Sequence, residues 1–162
     1  MEQFYFSFIR PILEYADIVW DNITVELSTQ IERLNIEAAR IITGGSKLTK
    51  ILDLYKELGW EPLEKRRDKH KIIHFHKMVH GLVPAYLCDL IPSKISESHS
   101  HNTRQSDNIS LIKCRTKQYQ NSFLPSSIIL WNNLHDDIKN NPSISYLKRY
   151  LNRNIYPPPP IF

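Results

Sequence analysis

A chain of 162 residues with 41% hydrophobic and 23% charged residues has the composition of one globular domain, which excludes a wholly disordered segment. Only 4 Gly stand against 10 Pro, a balance that favours helices separated by proline-marked breaks over a sheet protein. The formal net charge of +4 is uneven: residues 1–59 carry 6 Lys or Arg and 9 Asp or Glu, whereas residues 102–162 carry 8 and 3. A basic second half is compatible with a polyanionic partner.

The cysteines and the N-terminal stretch indicate the compartment. Cys88 and Cys114 are too few for a disulfide framework and fit reduced thiols. Arg10, Pro11 and Glu14 interrupt the first apolar run, so we expect no secretory signal. No apolar run approaches the roughly 20 residues that a membrane span needs. We therefore expect an intracellular protein, cytoplasmic or nuclear, with no membrane contact.

The N-terminal part of the chain predicts two amphipathic helices. The first covers residues 2–19, with a kink or a restart at Pro11. The second covers 25–43, between the N-cap Thr24 and the stop at Gly44. Apolar residues at three- or four-residue steps are predicted to face the core. They are Phe4, Phe8, Ile12, Tyr15 and Val19 in the first helix, and Leu27, Ile31, Leu34, Ala38 and Ile41 in the second.

Two further helices are predicted, each ended by a glycine. The third covers 48–58, with Leu48, Leu52 and Tyr55 on one side. The fourth begins near Pro62 and ends before Gly81. Its first half is polar nearly all round, and its second half is predicted to bury four residues: Ile72, Phe75, Met78 and Val79. A short helix is predicted within 84–90.

The remainder predicts a loop over 93–110, an extended segment over 109–114 without an obvious partner strand, and helices over 125–134 and 143–152. The predicted fold is therefore mainly α, an irregular bundle of roughly seven helices with one short extended segment. We divide the chain into a helical bundle (1–92), the loop (93–110), a C-terminal part (111–154) and a proline-rich tail (155–162), together one compact unit.

Short blocks follow one another along the chain in a specific order. They comprise residues 8–20, 58–67, 77–84, 102–104, 122–125 and 130–134, which include Leu58-Gly59-Trp60-Glu61-Pro62-Leu63 and Leu130-Trp131-Asn132-Asn133-Leu134. In order and spacing these blocks resemble the region after the polymerase domain of LINE-type (non-LTR) retrotransposon reverse transcriptases. His135 departs from the pattern, since the family usually has proline there. The resemblance implies a C-terminal, thumb-like fragment whose polymerase core lies upstream of Met1.

The resemblance also implies that this chain is not an enzyme by itself. Polymerase chemistry needs carboxylates that hold two metal ions, and in this family they come from an aromatic-x-Asp-Asp turn and an earlier aspartate. The sole Asp-Asp pair here, Asp136-Asp137, lacks the aromatic residue and follows a predicted helix, so we interpret it as a solvated helix start. We expect no catalytic residue and no cofactor.

The fourth predicted helix is the candidate for nucleic-acid contact. Residues 61–80 hold 6 Lys or Arg, 3 acidic residues and 4 His. Residues at three- or four-residue spacing line one stripe that can follow phosphates. With the resemblance, this stripe predicts binding of an RNA or DNA template–primer. The predicted site is Lys65, Arg66, Lys69, His70, His74, Lys77 and Arg104. The alternatives are a solvated face, a helical protein-interaction module and an inactive genomic relic.

Other chemistries have weaker support. His70/His74 and His76/His80 have the i, i+4 spacing of metal ligands, but the two pairs point about 120° or more apart, so we expect no metal site. The three tryptophans adjoin apolar runs, and core anchoring is predicted for them over base stacking. They are Trp20, Trp60 and Trp131.

Overall fold

The computed structural model describes residues 1–95 and 107–154. Most of the predicted loop 93–110, Arg104 and the proline-rich tail lie outside the described residues. The described part is mainly helical, which confirms the predicted fold class. The chain divides into two compact units, 1–68 and 69–162, and the boundary between them lies inside a helix. None of the helices in the described part has the length and apolar character needed to cross a membrane.

The N-terminal helical stretch is interrupted, and a new helix begins at Arg10 with Pro11 in its first turn, which is the predicted restart. The stretch consists of α1 (Glu2–Phe4), a π-helical turn (Tyr5–Ile9), α2 (Arg10–Leu13) and α3 (Asp17–Trp20). Pro11 lies in the first turn of α2, where its missing N–H costs no helical hydrogen bond. A break also lies at Ala16, which has a left-handed backbone with φ 50°.

The second predicted helix is confirmed to the residue. It is α4 (Val25–Thr43), where Thr24 Oγ1 accepts the Leu27 N–H at 3.3 Å and Gly44 ends the helix with φ 72°. Then α5 (Ile51–Leu58) ends at Gly59, and α6 (Leu63–Val79) is followed by Gly81 at φ 67°. Local capping signals therefore place these helix ends correctly.

The predicted buried stripes of the first helices are wrong. The side chains Phe4, Phe8, Ile12, Tyr15 and Val19 are all exposed, as are Leu27, Leu34 and Ile41 on α4 and Leu48 and Leu52 near α5. The buried residues of α4 are instead Asn35 and Ala39. Asn35 can be buried because tyrosine hydroxyls form hydrogen bonds with its amide group. A hydrophobic pattern in the sequence does not reveal a buried helix face that contains a polar residue.

The core of residues 1–68 is small. Ala39, Leu54 and Tyr55 are buried, with Ile36, Leu58 and Trp60 packed against them. The Tyr5 ring stacks on Trp60 with centroids 4.4 Å apart. Many large apolar side chains of this unit consequently stay in solvent.

Residues 69–162 have the larger core, and it contains the apolar face of α6. After α6 come α7 (Ala85–Cys88), α8 (Lys117–Gln120), α9 (Phe123–Asn132), α10 (Asp136–Lys139) and α11 (Ile144–Asn154). The buried cluster comprises Ile72, Phe75, Met78, Ile109, Ile128, Trp131, Leu134, Ile138, Leu147 and Leu151. The predicted burial of Ile72, Phe75 and Met78 is confirmed, and Val79 is half-buried against this cluster. Trp131 is a core residue, as predicted.

The start of the predicted extended segment is held by both backbone and side-chain hydrogen bonds, since Ile95 N–H donates to the Asn108 carbonyl at 2.9 Å and Ser110 N–H donates to the Ser93 carbonyl at 3.1 Å. Ile109 forms an isolated antiparallel bridge with Lys94. The Asn132 amide also brackets the Ile109 backbone, since Ile109 N–H donates to Oδ1 at 3.0 Å and Nδ2 donates to the Ile109 carbonyl at 2.9 Å. Asn132 therefore satisfies the Ile109 backbone groups, which the bridge to Lys94 leaves unpaired.

Candidate nucleic-acid interface

In the first turns of α6, the Arg66 side chain forms ion pairs with two carboxylates. The Arg66 guanidinium donates to both oxygens of Glu14 (Nη2 to Oε2 3.0 Å) and to Glu61 (Nη1 to Oε1 3.4 Å). Burial raises the pKa of the Glu14 carboxyl, but the hydrogen bonds and charge of Arg66 outweigh it, so this pKa is below its ordinary value. Arg66 thus serves as a structural ion-pair partner within residues 1–68.

The other predicted site residues of α6 are half-buried. This group is Lys65, Lys69, His70, His74 and Lys77. Lys69 Nζ donates to Asn152 Oδ1 at 3.2 Å, and the His74 ring lies edge-on to Phe123 at 6.3 Å between centroids. Arg104 lies outside the described residues. The structure therefore places α6 within the packing of the chain, and its role in nucleic-acid binding stays a prediction.

His76 of α6 and His80, which follows this helix, contact the C-terminal end of α10 and the residues just after it. His76, which is 0% exposed, directs Nε2 to the Asn141 carbonyl at 2.8 Å, and His80 Nε2 lies 3.1 Å from the Lys139 carbonyl. A carbonyl only accepts, so His76 Nε2 carries the proton, and its buried Nδ1 has no hydrogen-bond partner among the described residues. Burial lowers the pKa of His76, although the bond to Asn141 acts in the opposite direction.

We expect His76 to make the chain less stable in acid. Its folded pKa lies below its ordinary value of 6.5, so the unfolded chain binds a proton that the folded chain resists. The free energy of unfolding should therefore decrease as the pH falls below 6.5, with no contribution from His76 at higher pH. Urea denaturation across this range should show a smaller pH slope for His76→Gln than for the wild type. Equal pH slopes in His76→Gln and the wild type would contradict this prediction.

The exposed cations of α11 are not among the nucleic-acid-binding residues predicted from the sequence. Leu147 and Leu151 bury one face of this helix, so Lys148, Arg149 and Arg153 are exposed on the other. In the part of the chain that the structure describes, none of the three is in an ion pair. Asn152, the hydrogen-bond partner of Lys69, is within one turn of all three. The sequence signal was the i, i+4 pair Leu147/Leu151, which predicts the orientation of α11.

A second basic segment precedes α8. Exposure alternates here: Leu111, Lys113 and Arg115 are exposed, whereas Ile112 and Cys114 are half-buried. Lys117, the first residue of α8, is exposed as well. This alternation agrees with an extended chain, because successive side chains of such a chain point to opposite sides.

The charge difference between the two units is larger than the total suggests. Residues 1–68 carry 9 Lys or Arg and 12 Asp or Glu, a net −3, whereas residues 69–162 carry 12 and 5, a net +7. The exposed cations described above all belong to the second unit. The net positive charge of the chain is therefore concentrated in residues 69–162.

The carboxylates of this part do not converge. Asp136 and Asp137 are exposed in the first turn of α10, as the sequence predicts. Across residues 1–95 and 107–154, no three His, Cys, Asp or Glu side chains are grouped so as to hold a metal ion.

Comparisons with protein-family models, with curated proteins and with solved structures gave no match.

Proposed function

We propose that this chain is a non-catalytic part of a non-LTR retrotransposon reverse transcriptase and assists binding of the RNA or DNA template–primer. The resemblance of its sequence blocks supports the family, and the charge of residues 69–162 supports the partner. The observation that carries the binding role is the solvent-exposed set Lys148, Arg149 and Arg153 on α11. In this proposal the polymerase chemistry resides in an upstream core, and the compartment is cytoplasmic or nuclear.

The physical basis of the proposed binding is phosphate neutralisation. Each cation that contacts a phosphate releases condensed counterions, so affinity decreases as salt increases. Because Lys148, Arg149 and Arg153 have no carboxylate partner in the described residues, they need not break an ion pair to make such contacts. Arg66, in contrast, would have to leave Glu14.

We expect the full chain to bind a labelled primer–template duplex, with a logarithm of affinity that falls linearly with the logarithm of salt concentration. The triple variant Lys148→Gln, Arg149→Gln, Arg153→Gln should weaken binding at low salt at least about tenfold and reduce the salt slope by roughly 2–3. Fluorescence anisotropy over a salt series measures both.

The matched control removes the same charge from the other unit. Lys47, Lys50 and Lys56 are exposed and have no ion-pair partner in the described residues. Their triple Gln variant should bind almost like the wild type. No binding at low salt, or an equal loss in both triple variants, would refute the proposed function.

A second candidate, a helical protein-interaction module, is favoured by the apolar surface of residues 1–68. Leu27, Leu34 and Ile41 are exposed at seven-residue spacing along α4. Such spacing is typical of the contact line between two helices. Binding to a protein helix through this line would not show the salt dependence described above.

A further inference from the structure

Two exposed tyrosines of residues 69–162 stand beside exposed cations. Tyr119 is 48% exposed near Arg115 and Lys117, and Tyr146 is 42% exposed near Lys148 and Arg149. We infer that residues 113–119 (the α8 segment) and residues 146–153 (the α11 segment) bind single-stranded nucleic acid. Each tyrosine ring would stack on an unpaired base, and the adjacent cations would contact the phosphates. This inference rests on the proposed function, since it names the form of nucleic acid that the same surface takes.

The α11 segment has the geometry for this role. Tyr146 is in the first turn, where its backbone N–H donates to the capping Ser143 Oγ at 3.3 Å. Tyr146, Arg149 and Arg153 follow at spacings of three and four residues, so they lie on one side of the helix. The ring is thus followed by two cations along one exposed face, and the opposite face is anchored by Leu147 and Leu151.

The α8 segment repeats this local arrangement. Thr116 Oγ1 accepts the Tyr119 N–H at 3.2 Å, so this tyrosine also stands in the first turn of a capped helix. The exposed cations here precede the ring: Lys113, Arg115 and Lys117. Each cap fixes the backbone beneath its ring, which reduces the conformational entropy that binding must remove.

Charge distinguishes these two tyrosines from the other exposed ones in the described residues. Tyr86 is 68% exposed but has Asp89 three residues later, and Tyr15 belongs to residues 1–68, whose net charge is −3. A carboxylate beside the ring would repel the phosphate next to a stacked base. Trp131, the tryptophan of this unit, is buried. Tyr119 and Tyr146 therefore combine an accessible ring with a cationic surround.

An unpaired strand fits this surface better than a duplex. Bases in a duplex stack on one another and offer no face to a side chain, whereas an unpaired base stacks on an aromatic ring whatever its sequence. Stacking on one tyrosine is worth about 1–3 kcal/mol, or roughly a 5- to 150-fold change in affinity. The phosphate contacts alone would not distinguish the two forms.

The test compares labelled oligonucleotides of one sequence as single-stranded RNA, single-stranded DNA and duplex DNA, each titrated with the full chain. The variant Tyr119→Leu, Tyr146→Leu should lose at least about fivefold affinity for single strands and keep its duplex affinity. The variant Tyr119→Phe, Tyr146→Phe keeps the rings and should bind like the wild type. The control Tyr86→Leu removes an exposed tyrosine without a cationic surround and should change nothing. Comparing the affinities for single-stranded RNA and single-stranded DNA shows which of the two the chain prefers.

The outcomes separate this inference from the proposed function. Unchanged single-strand affinity in the leucine variant, with a loss in the α11 charge variant, would overturn the inference and leave the proposed function standing. An equal loss for strand and duplex in the leucine variant would also overturn it, because stacking acts on unpaired bases. No binding of any oligonucleotide at low salt would overturn both.

Discussion

Replacing Arg67 with alanine is expected to lower the free energy of unfolding by about 3–5 kcal/mol, because the change breaks a buried ion pair from one side. Arg67 is 2% exposed. Its Nε donates to Asp21, its Nη2 donates to Ser28 Oγ at 2.7 Å, and its guanidinium lies 5.7 Å from the centre of the Trp20 ring. The truncated side chain would leave the half-buried Asp21 carboxylate without this guanidinium.

Chemical denaturation, followed by circular dichroism, measures this loss. Arg33→Ala removes an exposed arginine from α4 and should change the free energy of unfolding by no more than about 0.5 kcal/mol. Adding Asp21→Asn to Arg67→Ala should recover part of the loss, because the negative charge that this guanidinium balanced is then gone. A cost below about 1 kcal/mol for Arg67→Ala, the value of a surface pair, would show that the ion pair is not buried in solution.

Replacing Asn35 with alanine is expected to cost about 2–4 kcal/mol, because this amide connects a buried chain of hydrogen bonds. The Tyr5 hydroxyl donates to Asn35 Oδ1, and Asn35 Nδ2 donates to the Tyr55 hydroxyl at 2.9 Å. Tyr55 in turn donates to Glu32, whose second oxygen accepts the Leu63 N–H at 2.8 Å. Burial raises the pKa of Tyr5 to about 12, consistent with a hydroxyl that stays neutral.

The same denaturation experiment tests the network. Asn133→Ala, at an exposed position after α9, is the control and should stay within about 0.5 kcal/mol of the wild type. Tyr5→Phe in the Asn35→Ala background should cost less than Tyr5→Phe alone, since the hydroxyl has already lost its acceptor. Strict additivity of the two changes would mean that Tyr5 and Asn35 do not form this hydrogen bond in solution.

Local signals predicted where helices begin and end better than which sides they bury. Thr24 and Gly44 fix the ends of α4 through hydrogen bonds and backbone conformation within a few residues. The buried side of α4, however, carries Asn35. Its burial depends on Tyr5, 30 residues earlier, and on Tyr55, 20 residues later. A periodic apolar pattern contains no information about such partners.

The candidate site shows the same limit. The sequence shows directly that the second half of the chain is basic. The many charged residues of α6 led to the prediction of a binding site there, but those residues are half-buried or paired. The partner of Arg66 is 52 residues away, so its neutralisation is a tertiary event. On α11, in contrast, the buried Leu147 and Leu151 leave the cations exposed to solvent, and the i, i+4 spacing of these leucines is the sequence signal for that orientation.

The apolar residues exposed along α4 have a consequence for the response of the molecule to its solution. Sulfate and similar ions are excluded from protein surfaces and strengthen the burial of apolar groups, whereas all salts weaken phosphate contacts. A helix that docks along Leu27, Leu34 and Ile41 would be retained in concentrated sulfate, and a polynucleotide on α11 would be released. If both proposed partners bind, the ionic medium would determine which of these two surfaces is occupied.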